Sequence, residues 1–182
     1  MFHANAWGLP FVAPATGAKL VLPGRHADGK SLARLIVDEG VTIGVAVPTV
    51  WLGLFDYLEE SGTQVPSLQR IMVGGAPMPQ ALMTRIEALG IKVQTTWGMT
   101  ELSPLGTATP PNARDRAARR SGAPAVGLDM RLTDQDGTPL AHQRGVEGHL
   151  WVRGHSVVER YFGQSESATQ DGWFDTGDLA VI

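Results

Sequence analysis

The sequence predicts an α/β protein in which a parallel, doubly wound α/β subdomain is followed by a small antiparallel β subdomain, and three observations carry that expectation. Between residues 18 and 97, short β-branched runs alternate with amphipathic stretches, the pattern of parallel strands joined by crossover helices. Each amphipathic stretch closes on a glycine (Gly40, Gly62 or Gly90), the residue that most easily takes the left-handed conformation ending a helix. Beyond residue 102 the chain becomes rich in Pro, Gly, Ala and Thr, then passes into alternating segments that read as antiparallel strands.

The expected strands are residues 19–22, 41–47, 70–73 and 91–96. Between them, residues 31–39 place Leu32, Leu35 and Ile36 on one helical face. Residues 49–60 start after Pro48 and carry Leu52, Phe55 and Leu58 at helical spacing, and residues 79–89 do the same with Leu82, Met83, Ile86 and Leu89. Right-handed crossovers then put the ligand crevice at the carboxyl ends of the strands. In the second part, residues 129–134 and 149–152 alternate, with Asp134-Gln135-Asp136-Gly137 as a hairpin turn between strands. The expected division is an α/β subdomain over 1–108, a basic loop over 109–124 and a β-rich subdomain over 125–182.

Composition narrows the function classes. With 182 residues, 43% hydrophobic and 18% charged, the chain can bury a sizeable core, which excludes a disordered tail or a coiled coil. The absence of cysteine excludes a disulfide framework, a thiolate zinc site and a cysteine nucleophile. A net charge of −3 gives no electrostatic case for a nucleic-acid partner. Residues 1–7 are apolar without the basic segment of a signal peptide, and the uncharged stretch 6–18 is broken by Pro10 and Pro14, so no transmembrane segment and a cytoplasmic location are expected. The chain opens in an aromatic segment and closes in a strand-like run at 178–182, which predicts a central piece of a longer domain, with apolar ends that favour homo-oligomers.

Three clusters can carry chemistry. In Val73-Gly74-Gly75-Ala76-Pro77 a strand runs into two glycines and a helix, so that no Cβ keeps a planar ligand or phosphate off the backbone. Taken alone this is a tight strand-to-helix turn, since the third glycine of the dinucleotide fingerprint and any G-x-x-x-x-G-K-[ST] loop are missing. The next strand ends in Thr95-Thr96-Trp97-Gly98-Met99-Thr100-Glu101, beside the first in a parallel sheet. There an aromatic ring can stack on a base, a hydroxyl can meet a phosphate and a carboxylate can hold Mg²⁺, although Trp97 by itself is as compatible with a core position. In Asp171-Gly172-Trp173-Phe174-Asp175-Thr176-Gly177-Asp178 an acid after a turn can accept both hydroxyls of a ribose, or simply shape an Asp-Gly turn. The run Arg114, Arg116, Arg119 and Arg120, against Asp115, reads as a mobile solvated loop, with ligand phosphate contact as the second reading.

These motifs resemble, in order, the middle of the adenylate-forming superfamily of acyl-CoA synthetases, luciferases and adenylation domains. The resemblance runs through Phe2-His3 with Trp7-Gly8, Val47-Pro48-Thr49, Gly74 to Pro77, Trp97 to Glu101, Gly148 to Gly154 and Asp171 to Asp178. The opening Met1 to Pro10 is most similar to the fatty-acyl-CoA synthetase branch, in which an aromatic residue at the Trp7 position gates the acyl tunnel. The resemblance implies part of a large N-terminal domain and an ATP-dependent activation of a carboxylic acid as acyl-adenylate, followed by transfer to coenzyme A. It implies that Gly75, Ala76 and Pro77 line one face of adenine and Trp97 the other, with Thr96, Gly98 and Met99 completing the nucleotide set. Thr100 would contact phosphate, Glu101 would bind Mg²⁺ and Asp178 would hold the ribose.

By the same resemblance His3 lies near the reacting carboxylate, and His3, Trp7, Val47, Thr49 and Val73 form the acyl-pocket wall. The chain departs from the family at His149, where Gly-Glu-Leu is usual, and at Arg160, where glycine precedes Tyr161; the basic stretch is also short. An aryl-acid or amino-acid activator and a non-catalytic nucleotide-binding relic are the alternatives, the amino-acid option weakened by the absence of an aspartate at the His3 position. The family's Ser/Thr/Gly-rich phosphate loop and catalytic lysine have no match in these residues. The 182 residues alone, given ATP, Mg²⁺, coenzyme A and fatty acids, are therefore expected to form no acyl-CoA above background by mass spectrometry.

Overall fold

The structure is a computed structural model that describes residues 3–114 and 116–182. Met1, Phe2 and Asp115, all named in the sequence motifs, lie outside the described residues. The elements in chain order are α1 (His3–Trp7), α2 (Leu9–Ala15), α3 (Gly29–Glu39), β1 (Ile43–Ala46), α4 (Pro48–Ser61), β2 (Arg70–Val73), α5 (Gln80–Glu87) and β3 (Lys92–Gly98). They continue as a 3₁₀ turn (Thr100–Leu102), β4 (Leu105–Ala108), β5 (Ala123–Pro124), β6 (Leu128–Thr133), β7 (Glu147–Gly154) and β8 (Phe174–Val181). Strands β1 to β5 form one sheet in sequential order and β6 to β8 form a second. The chain divides into two compact units, Met1–Gly98 with Thr107–Ala123, and Met99–Gly106 with Pro124–Ile182.

In the first unit β1, β2 and β3 are parallel, with Ala46 opposite Val73 and Val73 opposite Thr95, so β1 and β2 end level while β3 runs on three residues to Gly98. Helices α4 and α5 are the crossovers. The core lies between sheet and helices and is built on Leu54, Phe55, Ile71, Met83, Ile86 and Val93, all but excluded from solvent. Trp51 of α4 inserts its indole over Gly44 of β1, where a Cβ would come within 2.5 Å of the ring, and its Nε1 donates to the Ala46 carbonyl at 3.2 Å. Asp28 caps α3 by accepting from the Ser31 backbone N–H at 2.9 Å, and that hydrogen bond holds its carboxyl below the usual range. Arg85 clips α5 to α4 through Asp56, Glu59 and the Phe55 carbonyl.

Three expectations are corrected. Residues 19–22 are extended but form no strand: Leu20 and Leu22 are exposed, and Lys19 is drawn instead into an ion pair with Glu39 at the end of α3. The turn at Asp134–Gly137 forms, with Asp134 Oδ1 accepting from the Asp136 and Thr138 N–H groups, but the chain leaving it makes an isolated bridge from Thr133 to Pro139, flanked by backbone bonds from Asp134 to Thr138 and from Leu140 to Leu132, and no strand. The strand that pairs with β6 is β7, reached only after the edge of β6 has been covered by the Gln143 amide, which bonds both the N–H and the carbonyl of Leu132. The basic loop is anchored and not free: Arg116 pairs with Glu87 of α5 at 3.0 Å, and the Arg120 carbonyl accepts from the buried Thr95 hydroxyl.

Helices α3 and α4 meet at two glycines with opposite tolerances. A Cβ on Gly29 would stand 2.3 Å from the Gly53 carbonyl oxygen, whereas a Cβ on Gly53 meets nothing within 4 Å. Gly29→Ala should therefore destabilise the fold by about 1–3 kcal/mol through overpacking. Gly53→Ala should be neutral or stabilising by up to about 1 kcal/mol, because Ala is the better helix former. Chemical denaturation of both variants checks the opposite signs.

Candidate active site

The first unit brings together five of the predicted residues, Trp7, Val47, Val73, Gly75 and Thr96, around the turn that follows β2. Val73 ends the strand buried in the core, and Gly74 is buried behind it. A Cβ on Gly74 would lie 2.5 Å from Thr96 Oγ1, and that hydroxyl donates to the Val73 carbonyl at 3.0 Å, tying β3 to the end of β2. Gly75 turns the chain at φ +77°, a conformation that glycine adopts without a Cβ penalty. Its open side faces Val47, the N-cap of α4, with Cγ1 3.3 Å from where a Cβ would be. The Trp7 indole lies against both glycines, 3.5 Å and 3.8 Å from the same notional positions. Trp7, Val47, Gly75 and Thr96 thus converge at the carboxyl ends of β1, β2 and β3. Gly74, which belongs to no predicted binding set, is the position that lets them meet.

The remaining predicted residues of this unit are spread around that centre. Ala76 and Pro77 are exposed in the segment leading to α5, and Trp97 and Gly98 form the last pair of β3, Trp97 half-buried. Thr49, the second residue of α4, lines a different feature, a groove of about 330 Å³ with Leu52, Ala81, Leu82 and Arg85. His3 is exposed at the start of α1, where His3, Asn5, Ala6 and Trp7 all have φ between 51° and 55°. That left-handed turn costs non-glycine residues roughly 1–2 kcal/mol each.

The second unit holds the other predicted residues in two places. Met99 opens a short turn whose Met99 N–H donates to the Pro104 carbonyl at 3.0 Å and whose Leu102 is 1% exposed and fixes it from below. The turn presents Thr100 outward with Glu101 half-buried. The Glu101 carboxylate accepts from the Tyr161 hydroxyl at 3.1 Å, and its backbone carbonyl accepts from the Val158 N–H at 2.7 Å. Partial burial of the hydroxyl, and then the bond to Glu101, hold the Tyr161 phenol above its ordinary range. Among the described residues no group of three or more His, Asp or Glu side chains could cage a metal ion. A hard cation that keeps its waters and binds through one carboxylate plus phosphate oxygens fits Glu101 without such a cage.

Asp178 stands on a bulge that sequence reasoning did not find. Trp151 of β7 is opposite Asp175 of β8 and His149 is opposite Leu179, so three residues of β8 face Leu150 alone. The surplus is held by Thr176, whose hydroxyl donates to the Leu150 carbonyl at 2.8 Å, by the Asp175 carboxylate, which accepts from the Gly177 N–H, and by Gly177 at φ +73°. Asp178 follows, exposed. Upstream, the Arg131 and Arg153 guanidinium groups both lie over the Trp173 indole, at 4.3 Å and 4.6 Å, and Arg153 pairs with Asp129. Trp173 therefore anchors the start of β8.

A parallel sheet whose second strand runs into a glycine turn between crossover helices defines an α/β protein with a ligand crevice at the carboxyl ends of its strands. The family model for AMP-binding enzymes matches residues 1–162, and the chain belongs to that family. It is 42% identical over its whole length to a medium-chain-fatty-acid–CoA ligase of Ectopseudomonas oleovorans and 40% identical to a 3-methylmercaptopropionyl-CoA ligase of Ruegeria lacuscaerulensis, covering 35% and 36% of those proteins. Among solved structures, o-succinylbenzoate coenzyme A synthetase of Bacillus subtilis in complex with ATP and magnesium ion matches 99% of the chain with a TM-score of 0.83 at 26% identity, and 37% of that protein is covered. The chain thus spans about a third of the length of these relatives.

Gly74→Ala tests the centre of the first unit. The added methyl should displace the Thr96 hydroxyl from the Val73 carbonyl and lower stability by about 1–3 kcal/mol. A melting temperature equal to that of the unsubstituted chain would show that Gly74 is not needed for close approach.

Proposed function

We propose that this chain is the central part of an ATP-dependent acyl-CoA synthetase that activates a fatty acid as its acyl-adenylate and transfers the acyl group to coenzyme A. The observation that carries the reading is the convergence of Trp7, Val47, Gly75 and Thr96 on a turn where the backbone is bare of side chains. Coverage of the whole chain by CoA ligases supports the same reaction class. Two relatives of almost equal identity act, by name, on a medium-chain fatty acid and on 3-methylmercaptopropionate, which supports an unbranched aliphatic acid over an aryl or amino acid.

In this reading the segment from Gly75 to Pro77 and the indole of Trp97 hold adenine by its two faces, and Thr96, Gly98 and Met99 complete the nucleotide wall. Asp178 accepts the ribose hydroxyls, raised from the ladder by the bulge of β8. Thr100 donates to a phosphate oxygen of ATP and then of the adenylate. Glu101 is the residue that would hold Mg²⁺, and the cation, when bound, supplies positive charge that offsets the phosphates. An oxygen of the acid attacks the α-phosphorus and pyrophosphate leaves. The thiol of coenzyme A then attacks the acyl carbonyl and AMP leaves, with His3 beside the reacting carboxylate. Trp7 and Val47, together with Val73 and Thr49, form the wall that receives the acyl chain and keeps water from the mixed anhydride.

ATP–pyrophosphate exchange by the full-length protein, offered linear, aryl and amino acids, tests this reading. Exchange should be supported best by linear aliphatic acids, and exchange confined to aryl or amino acids would overturn the substrate class. Trp97→Ala should weaken nucleotide binding about tenfold, as expected for loss of a base–aromatic stack worth roughly 1–3 kcal/mol.

A further inference from the structure

Glu101 is held by more than its own turn. Its carbonyl takes the Val158 N–H at 2.7 Å, and two residues on, the Ser103 hydroxyl donates to the Ser156 carbonyl at 2.9 Å, so the backbone of the later segment is already fastened to this turn. The Tyr161 hydroxyl then reaches back 60 residues to the Glu101 carboxylate, at 3.1 Å from Oε1. Packing does not account for Tyr161, because the residue is 41% exposed and the neighbouring Phe162 is fully exposed. The hydroxyl contact is what distinguishes its position.

The chemistry of that contact suits a metal-binding carboxylate. The last torsion of a glutamate is broad, so an unrestrained carboxylate at the surface samples many orientations. A phenol is a neutral donor: it fixes one oxygen without cancelling the negative charge, as Arg or Lys would. Glu101 Oε2 has no hydrogen-bond partner among the described residues, and so remains available to a cation. Partners of this kind orient the ligands of metal sites and raise the affinity of the site.

We propose that Tyr161 is a positioning residue for the metal site, orienting the Glu101 carboxylate so that its second oxygen meets Mg²⁺. The proposal rests on the reading of Glu101 as the Mg²⁺ ligand, and the test separates the two. Mn²⁺ binding to the full-length protein in the presence of ATP, whose phosphates supply the other ligands, is followed by electron paramagnetic resonance for the unsubstituted protein, Tyr161→Phe, Glu101→Gln, the double variant and Ser103→Ala. Glu101→Gln should abolish the site, and Tyr161→Phe should weaken it about tenfold. The double variant should bind no more weakly than Glu101→Gln alone, because the hydroxyl acts only through the carboxylate. Ser103→Ala loosens the same segment without touching the carboxylate and should leave affinity within about twofold. If Glu101→Gln removes the site and Tyr161→Phe leaves it intact, or if Ser103→Ala weakens it as much as Tyr161→Phe, the positioning role is overturned. If the unsubstituted chain binds no Mn²⁺, or Glu101→Gln binds as well as it does, the metal reading of Glu101 falls instead, and the positioning role with it.

Discussion

A missing side chain governs the first unit. At Gly74 the backbone of β2 passes so close to Thr96 that a single methyl group would overlap the hydroxyl. Because that space is empty, the hydroxyl can reach the Val73 carbonyl and tie β3 to the end of β2. The next residue, Gly75, turns the chain away at positive φ, and Val47 and Trp7 lie against this bare backbone. The order of dependence runs from steric exclusion to strand alignment to the shape of the crevice. Hydrophobic burial stabilises the unit as a whole, through Phe55, Ile71 and Ile86, but it does not by itself specify where the strands stop.

The second unit is organised on a different principle, with neutral donors and surplus residues in place of bare backbone. Glu101 is fixed by an amide at its backbone carbonyl and a phenol at its carboxylate, neither of which carries charge. Charge is instead used away from Glu101, where Arg131, Arg153 and Asp129 gather around Trp173. Cation–π contacts of this kind tolerate partial exposure better than an isolated ion pair, because the ring excludes water from one face of the cation.

Much of the fold was legible because it is local. The spacing of Leu82, Met83 and Ile86 marks α5 wherever the chain goes next, and Gly40 and Gly62 cap α3 and α4 in the left-handed conformation for reasons contained in a few residues. The segment 19–22 carries a strand's composition but lacks a partner strand, and pairing is a property of two segments. The anchoring of Arg116 by Glu87 was hidden for the same reason, since a run of arginines looks alike whether or not an acid waits on a distant helix. At the candidate site, the glycine pair and the Trp97 to Glu101 motif announce themselves by residue type. Tyr161 does not: it lies in a stretch without periodicity, and only folding puts it beside Glu101. The spread of Thr176 to Asp178 over a single partner residue was equally invisible, because Asp-Thr-Gly-Asp describes a turn as well as it describes a bulge.

That bulge also sets which changes of length the strand can absorb. Between the pairs Trp151–Asp175 and His149–Leu179, β8 advances four positions while β7 advances two, an excess of two residues. Side chains alternate faces with a period of two, so an even excess leaves the strand in phase on both sides of the interruption. Losing one residue here would turn Leu179 to Val181 over, exchanging which of them faces the sheet's covered side, while losing two would restore a plain ladder and leave Asp178 no step to stand on. The two surplus residues are thus a parity device: the strand can carry a projecting acid in its middle and still finish with every later side chain on its proper face.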